Sequence, residues 1–183
     1  TFEAPGFGAD SSHFGTLYLS KPAGASSFAL SGDVYVNGLL ENGVVALGSD
    51  VAGNGQRVVS RGAEFSNLRF TNVRWQLVEG AAVTQIDSLS FLNMDPTAIA
   101  FEIVRAGGTI TIPNLTFAGY SPTASGRYLR AEDIDGPTAN GALTVDVTTP
   151  SPANNGGALE VVNGAIVNGW PNFAGFNWTG AVS

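Results

Sequence analysis

Three nine-residue stretches repeat one arrangement of apolar and polar positions: FSNLRFTNV at 65–73, IDSLSFLNM at 86–94 and IPNLTFAGY at 112–120. Each holds an apolar residue, two others, Leu, one residue, Phe, one residue, then Asn or Gly and a further apolar residue. Aligned, they form columns: Phe65, Ile86 and Ile112; Leu68, Leu89 and Leu115; Phe70, Phe91 and Phe117; Asn72, Asn93 and Gly119. Successive copies are offset by 21 and then 26 residues. A period in the twenties with insertions between copies predicts a solenoid, because each unit buries its apolar face only against its neighbours.

Short alternating runs lie between the copies: Trp75 and Leu77, then Val83; Ile99, Phe101 and Ile103, then Ile110 and Ile112. About three short strands per coil follow, with period-two alternation turning Leu68, Phe70, Phe101 and Ile103 inward and Arg69, Ser90, Thr116 and Glu102 outward. Asn67, Ser88 and Asn114 form a polar column suited to corners, where stacked amides and hydroxyls satisfy one another and the bent backbone.

These columns resemble the Phe, Leu, Ile and Asn ladders of right-handed parallel β-helix proteins, the pectate-lyase-like solenoids, over roughly residues 57 to 136 and at the level of fold only. A leucine-rich repeat fits less well: its Asn would fall one residue later, and Ile99-Ala-Phe101-Glu-Ile103 is strand-like where such a repeat carries helical turns. The expectation is a single all-β domain over 1–183, a short right-handed parallel β-helix with irregular, partly antiparallel terminal coils; a β-sandwich is the alternative. Within it, 1–56 form an N-terminal segment and irregular coils, 57–136 the repeated coils, and 137–183 a C-terminal coil and tail.

The partly antiparallel ends follow from Asn-Gly pairs, all of which lie outside the repeated centre, as at Asn37-Gly38 and Asn163-Gly164. Asn-Gly favours hairpins because both residues tolerate positive φ, so VYVNGLLENGVVAL and LEVVNGAIVNGW predict hairpins or sharp corners. TTPSPANNGG at 148–157 predicts a projecting loop.

Composition agrees with turn-rich β structure: charged residues are only 13%, with 24 Gly. The chain has no cysteine, so neither disulfides nor thiolate metal sites hold it, and packing must. A net charge of −7, with arginines scattered from Arg57 to Arg130, gives no clustered basic face for nucleic acid. No apolar run is long enough for a helical membrane span, so no membrane insertion is expected. No basic-then-apolar leader pattern opens the chain, and Thr1 in place of an initiator methionine is expected of a mature product after cleavage.

Candidate chemistry is sparse. His13 is the single histidine and no nucleophile elbow accompanies it, so it is expected to be a surface residue and the chain not an enzyme. EDIDG at 132–136 spaces Asp133 and Asp135 two apart before a Gly, a beginning of a calcium site with Thr138 and Asn140 as further oxygen ligands. No downstream bidentate Glu completes it, so calcium is carried only as an option. Polysaccharide lyases and hydrolases on β-helices use basic residues near calcium-binding acids or paired carboxylates, which the resemblance would map to Arg127, Arg130, Asp133 and Asp135. Asn114 and Asn177 match the glycosylation sequon.

Most aromatics are expected in the core. The two ends are exceptions, with Phe2, Phe7 and Phe14 at one and Trp170, Phe173, Phe176 and Trp178 at the other. These seven are the expected self-assembly residues. The sequence thus reads as a secreted or cell-surface structural or adhesive module whose partner is itself, in a homopolymer; the alternative is a carbohydrate-binding or carbohydrate-active solenoid that meets a polysaccharide.

Overall fold

The computed structural model describes residues 13–19, 27–42, 49–80, 84–152, 159–169 and 178–179. Among these, sixteen strands and no helix occur: β1 (Leu17–Leu19), β2 (Phe28–Ala29), β3 (Val34–Asn42), β4 (Ser49–Ala52), β5 (Arg57–Phe65), β6 (Leu68–Thr71), β7 (Arg74–Val78), β8 (Thr84–Ile86), β9 (Ser88–Leu92), β10 (Ile99–Arg105), β11 (Thr109–Ala118), β12 (Arg127–Asp133), β13 (Thr144–Pro152), β14 (Leu159–Val162), β15 (Ile166–Asn168) and β16 (Trp178–Thr179). One sheet runs β1-β3-β5-β7-β10-β12-β14-β16 with β8 beside β5, and the other runs β15-β13-β11-β9-β6-β4-β2. All the pairings are parallel, and the strands stack as a β-solenoid of about five turns.

Long strands turn corners, which divides the surface into three lateral faces. Arg57–Ser60 of β5 pair with β7, whereas its Ala63–Phe65 pair with β8. Thr109–Ile112 of β11 likewise pair with the start of β13, and Asn114–Phe117 with both β9 and the end of β13. Face one therefore comprises the first halves of β3 and β5 with β7, β10, β12, β14 and β16. Face two carries β1, the second halves of β3 and β5, β8, the first halves of β11 and β13, and β15. Face three holds β2, β4, β6, β9 and the second halves of β11 and β13.

The sequence columns are physical columns. Leu68, Leu89 and Leu115 lie in register on face three, as do Phe70, Phe91 and Phe117, and all six are buried. The Phe70–Phe91 and Phe91–Phe117 ring centroids are 5.5 Å apart, with planes inclined by 20° and 13°. Across the prism, Trp75 of β7 stacks on Phe101 of β10 at 4.6 Å, and Phe91 meets Phe101 at 5.9 Å. The Trp75 indole N–H donates to the buried Ser60 hydroxyl at 3.0 Å, so this polar pair costs the core little.

The fourth column explains why the repeat ends in Asn, Asn and Gly. Asn72 and Asn93 both adopt φ of 48° and Gly119 of 61°, at the corner leading from face three to face one. Only Gly, and Asn or Asp among the side-chain-bearing residues, visits this left-handed region routinely. The other polar column sits where face two turns into face three: the Asn42 side chain donates to Asn67 O and accepts from the Ser66 N–H at 3.1 Å, and Asn114 donates to Asp87 O at 3.1 Å.

Two expectations are corrected. The terminal coils are parallel wherever described, and neither Asn-Gly segment forms a hairpin among those residues: Asn37-Gly38 lies inside β3 at a register shift between Val36 and Leu39, and Asn163-Gly164 turns the corner from β14 to β15. Asn-Gly supplies positive φ to a corner as readily as to a hairpin, as Asn163 at 59° and Gly164 at 84° do. The loop expected at 148–157 also begins later, since Thr148–Pro152 continue β13. Among the described residues this stretch pairs only with β11, so Pro150 and Pro152 sit on an edge where a missing N–H is tolerated. Residues 153–157 lie outside the described set.

Candidate functional site

A network of charged side chains covers the outward surface of face one. Because β7, β10, β12 and β14 alternate inward and outward residues in strict register, Gln76, Glu102, Arg130 and Glu160 form one outward column. Arg130 donates to Glu102 at 2.6 Å, pairs with Glu132 at 2.8 Å and lies 3.7 Å from Glu160. Burial pulls its pKa down, but the hydrogen bond to Glu132 and the charges of Glu102 and Glu132 outweigh it and raise the value. Arg127 Nε stands 3.5 Å from Glu160, near enough for an ion pair though without hydrogen-bond geometry, while its Nη1 donates to Ala124 O and Gly126 O.

Beside this network, at the corner from face three, a groove of about 210 Å³ is lined by Arg57, Arg74, Gln76, Thr97, Glu102 and Ser125. Arg57 and Arg74 are register partners on adjacent strands. Asp33 holds Arg57 twice, accepting from its N–H at 2.8 Å and its Nη2 at 3.1 Å, and the same Nη2 reaches the Tyr35 hydroxyl at 2.8 Å. The wall carrying Thr97 is fixed by Asp95, which accepts from the Thr97 N–H at 2.8 Å and hydroxyl at 2.6 Å. Those two hydrogen bonds, and then the Arg74 charge, hold the Asp95 carboxyl below its usual range.

Comparison with protein-family models, with curated proteins and with solved structures gives no match to this chain.

Asp133 and Asp135 sit apart from the groove, at the corner after β12. Asp133 has the inward parity of Leu129 and Ala131 and is fully buried. Its carboxylate accepts from the Leu143 N–H at 2.9 Å and the Gly107 N–H at 3.4 Å. Burial pushes its pKa up, but the hydrogen bonds from Leu143, Asp135 and Gly107 outweigh burial and leave it lowered. Asp135 is exposed and accepts from the Asn140 side chain at 2.7 Å. A cation at Asp133 would therefore compete with backbone donors. Among the described residues no three His, Asp or Glu side chains converge as a metal-binding group.

Arg127 and Arg130 thus belong to the glutamate network, and Arg130 does not pair with Asp133. Phe14 is exposed in the first described coil, bridged by backbone to Val36, and Trp178 enters through the backbone of β16 opposite Leu159. Phe2, Phe7, Trp170, Phe173 and Phe176 lie outside the described residues, as does the sequon Asn177. The Asn114 amide nitrogen is committed to its corner hydrogen bond. Sequence reasoning missed Arg57, Arg74, Thr97 and Ser125. A signal existed: Arg57, Arg74 and Arg127 each open a face-one strand.

Proposed function

We propose that the chain is a structural or adhesive module of an extracellular or cell-surface layer that assembles end to end with copies of itself, without catalysis. The observation that carries this reading is the distribution of exposed apolar side chains. Among the described residues the large exposed ones are Phe14, Tyr18, Ile134 and Ile166. Phe14 and Tyr18 lie in the first coil and Ile166 in the last strand of the second sheet. Since all the described strands run parallel, the first coil of one copy presents an edge whose direction matches the last coil of another. Such a contact is heterologous and extends into a filament when it does not close. The test is sedimentation and electron microscopy across a concentration series, with Tyr18→Lys and Ile166→Lys expected to shift the protein towards monomer. A full-length chain that stays monomeric at high concentration overturns the proposal.

A second reading, a carbohydrate-binding solenoid, is favoured by the groove, whose lining combines guanidinium, amide, hydroxyl and carboxylate groups on an open lateral face. Its one lining glutamate, Glu102, is engaged by Arg130, which supports binding over hydrolysis.

A further inference from the structure

Asn-Gly pairs carry a chemistry of their own as well as a backbone preference. The main-chain nitrogen of the glycine can attack the asparagine side-chain amide, and glycine, lacking a Cβ, hinders that approach least. Five such pairs are described throughout: Asn37-Gly38, Asn54-Gly55, Asn140-Gly141, Asn163-Gly164 and Asn168-Gly169. The reaction asks two things of the glycine, a nitrogen that no carbonyl holds and free space in which a ring can close. Gly38 is backed by Gly15 O, Gly164 by the Pro137 ring and Gly169 by Val147 O, each too near to admit even a Cβ. Gly55 has the space, but its N–H donates to Asn72 O at 2.8 Å. Gly141 alone of the five meets both conditions: nothing lies within 4 Å of where its Cβ would stand, and its N–H has no hydrogen bond among the described residues. The surroundings of Asn140 agree. Both residues are exposed, in the connection 134–143, the longest between strands that is described throughout. The Asn140 amide donates to exposed Asp135 at 2.7 Å, a bond that water readily replaces, whereas Asn163 donates to Asp133 O at 2.8 Å from a corner set tightly between β14 and β15.

We infer that Asn140 is a site of spontaneous deamidation, converted by water alone to aspartate and isoaspartate. The Gly141 nitrogen, on losing its proton to solvent base, attacks Asn140 Cγ; the Cγ–Nδ2 bond breaks, and the departing nitrogen takes a proton from water and leaves as ammonia. The five-membered imide then adds one water. Opening at Cγ gives aspartate, and opening at the main-chain carbonyl gives isoaspartate, with one more carbon in the backbone path. Either product sets a second carboxylate against Asp135 where an amide donor stood, and like charges there repel. The longer isoaspartyl path also disturbs the loop that packs Asn140 O and Gly141 O against Gly107 and presents the Leu143 N–H to buried Asp133 at 2.9 Å. The modification therefore loosens the corner that satisfies Asp133, and the molecule carries a slow, irreversible timer in its own chain.

The experiment incubates the full chain in oxygen-18 water at mildly alkaline pH, native and in urea, and follows each Asn-Gly peptide by mass spectrometry, with isoaspartate counted by enzymatic methylation. Urea removes the fold and leaves the sequence, so the urea rate of each pair is its own reference. Asn140 is expected to react in the native protein at close to its urea rate. Asn37, Asn54, Asn163 and Asn168 should be slowed roughly tenfold or more by the hydrogen bonds and packing that must open first. The rate at Asn140 should rise with pH, because the attacking nitrogen is the deprotonated one. The unfolding midpoint should fall as isoaspartate accumulates and stay constant in Asn140→Gln, whose longer side chain closes the corresponding ring far more slowly. The native and urea comparison needs no variant, so it stands if the glutamine variant does not fold. Native Asn140 protected as strongly as Asn54, or any of the other four reacting faster than it, overturns the inference. Deamidation at Asn140 with a constant midpoint would uphold the site and overturn its coupling to the corner.

Discussion

Replacing Phe91 by Ala tests the central claim that the repeat is a stacked column. Phe91 is fully buried, with Phe70 on the rung before it, Phe117 on the rung after it and Phe101 across the prism, at 5.5, 5.5 and 5.9 Å between ring centroids. Truncating a buried Phe to Ala costs about 3–5 kcal/mol, lost transfer energy and cavity together, with less where neighbours can collapse into the space. Collapse is resisted here because Phe70 and Phe117 are pinned by main-chain ladders to the same strand that would have to move. Each ring pair lost also forfeits about 0.5–1.5 kcal/mol beyond its area. The expected cost is therefore near the top of the range, about 4–5 kcal/mol, a large share of the roughly 5–15 kcal/mol that stabilises a typical domain. Ser90, one residue earlier, points outward and accepts a hydrogen bond from Thr116 at 2.7 Å; Ser90→Ala should cost about 1 kcal/mol or less. Urea unfolding of both variants reads the difference as a midpoint shift. A lowered slope for Phe91→Ala alone would show the coils on either side unfolding separately, as nearest-neighbour coupling in a solenoid allows. Similar midpoints for the two variants would refute the column.

Gly119→Ala should destabilise by more than the roughly 1–2 kcal/mol of a left-handed L-residue, because the added Cβ would lie 2.2 Å from Asn93 Oδ1. Asn93→Gly should relieve that excess in the double variant, and additive unfolding midpoints would show that the two corners do not touch. Asp133 has a folded pKa below the roughly 3.9 of unfolded Asp, so its contribution is fully present above about pH 4 and is lost as pH falls through the folded value. Asp133→Asn should therefore flatten the acid side of a stability profile read by thermal unfolding; an unchanged profile would remove the buried carboxylate from the account.

The central coils were legible because columns of Leu and Phe at a fixed spacing leave one economical burial, and the Asn, Asn, Gly column carried the corner conformation in residue type alone. The ends were read less well. Asn-Gly permits a positive φ without fixing the direction of the next strand: Asn163-Gly164 uses it to turn a corner between parallel strands, and Asn37-Gly38 lies within β3 at a register shift without it. The site was the least legible part. Arg57 and Arg74 are 17 residues apart, shorter than the offset of the repeats, and they become neighbours only once the coils stack. The pair Arg130 and Asp133 shows the opposite error: closeness along the chain suggested a cluster, yet strand alternation sends Arg130 outward to Glu102 and Asp133 inward to the Leu143 N–H.

Parallel stacking also gives the molecule a mechanical direction. The ladder hydrogen bonds lie roughly along the solenoid axis, from each coil to the next, whereas the peptide backbone runs around it. Tension between the first and last coils thus loads one rung of hydrogen bonds and one layer of side-chain contact at each junction. Force across a lateral face is carried by covalent chain instead. A filament built from such units would yield coil by coil when stretched end to end and stand firm against a sideways load, so its anchoring to neighbours should run through the faces.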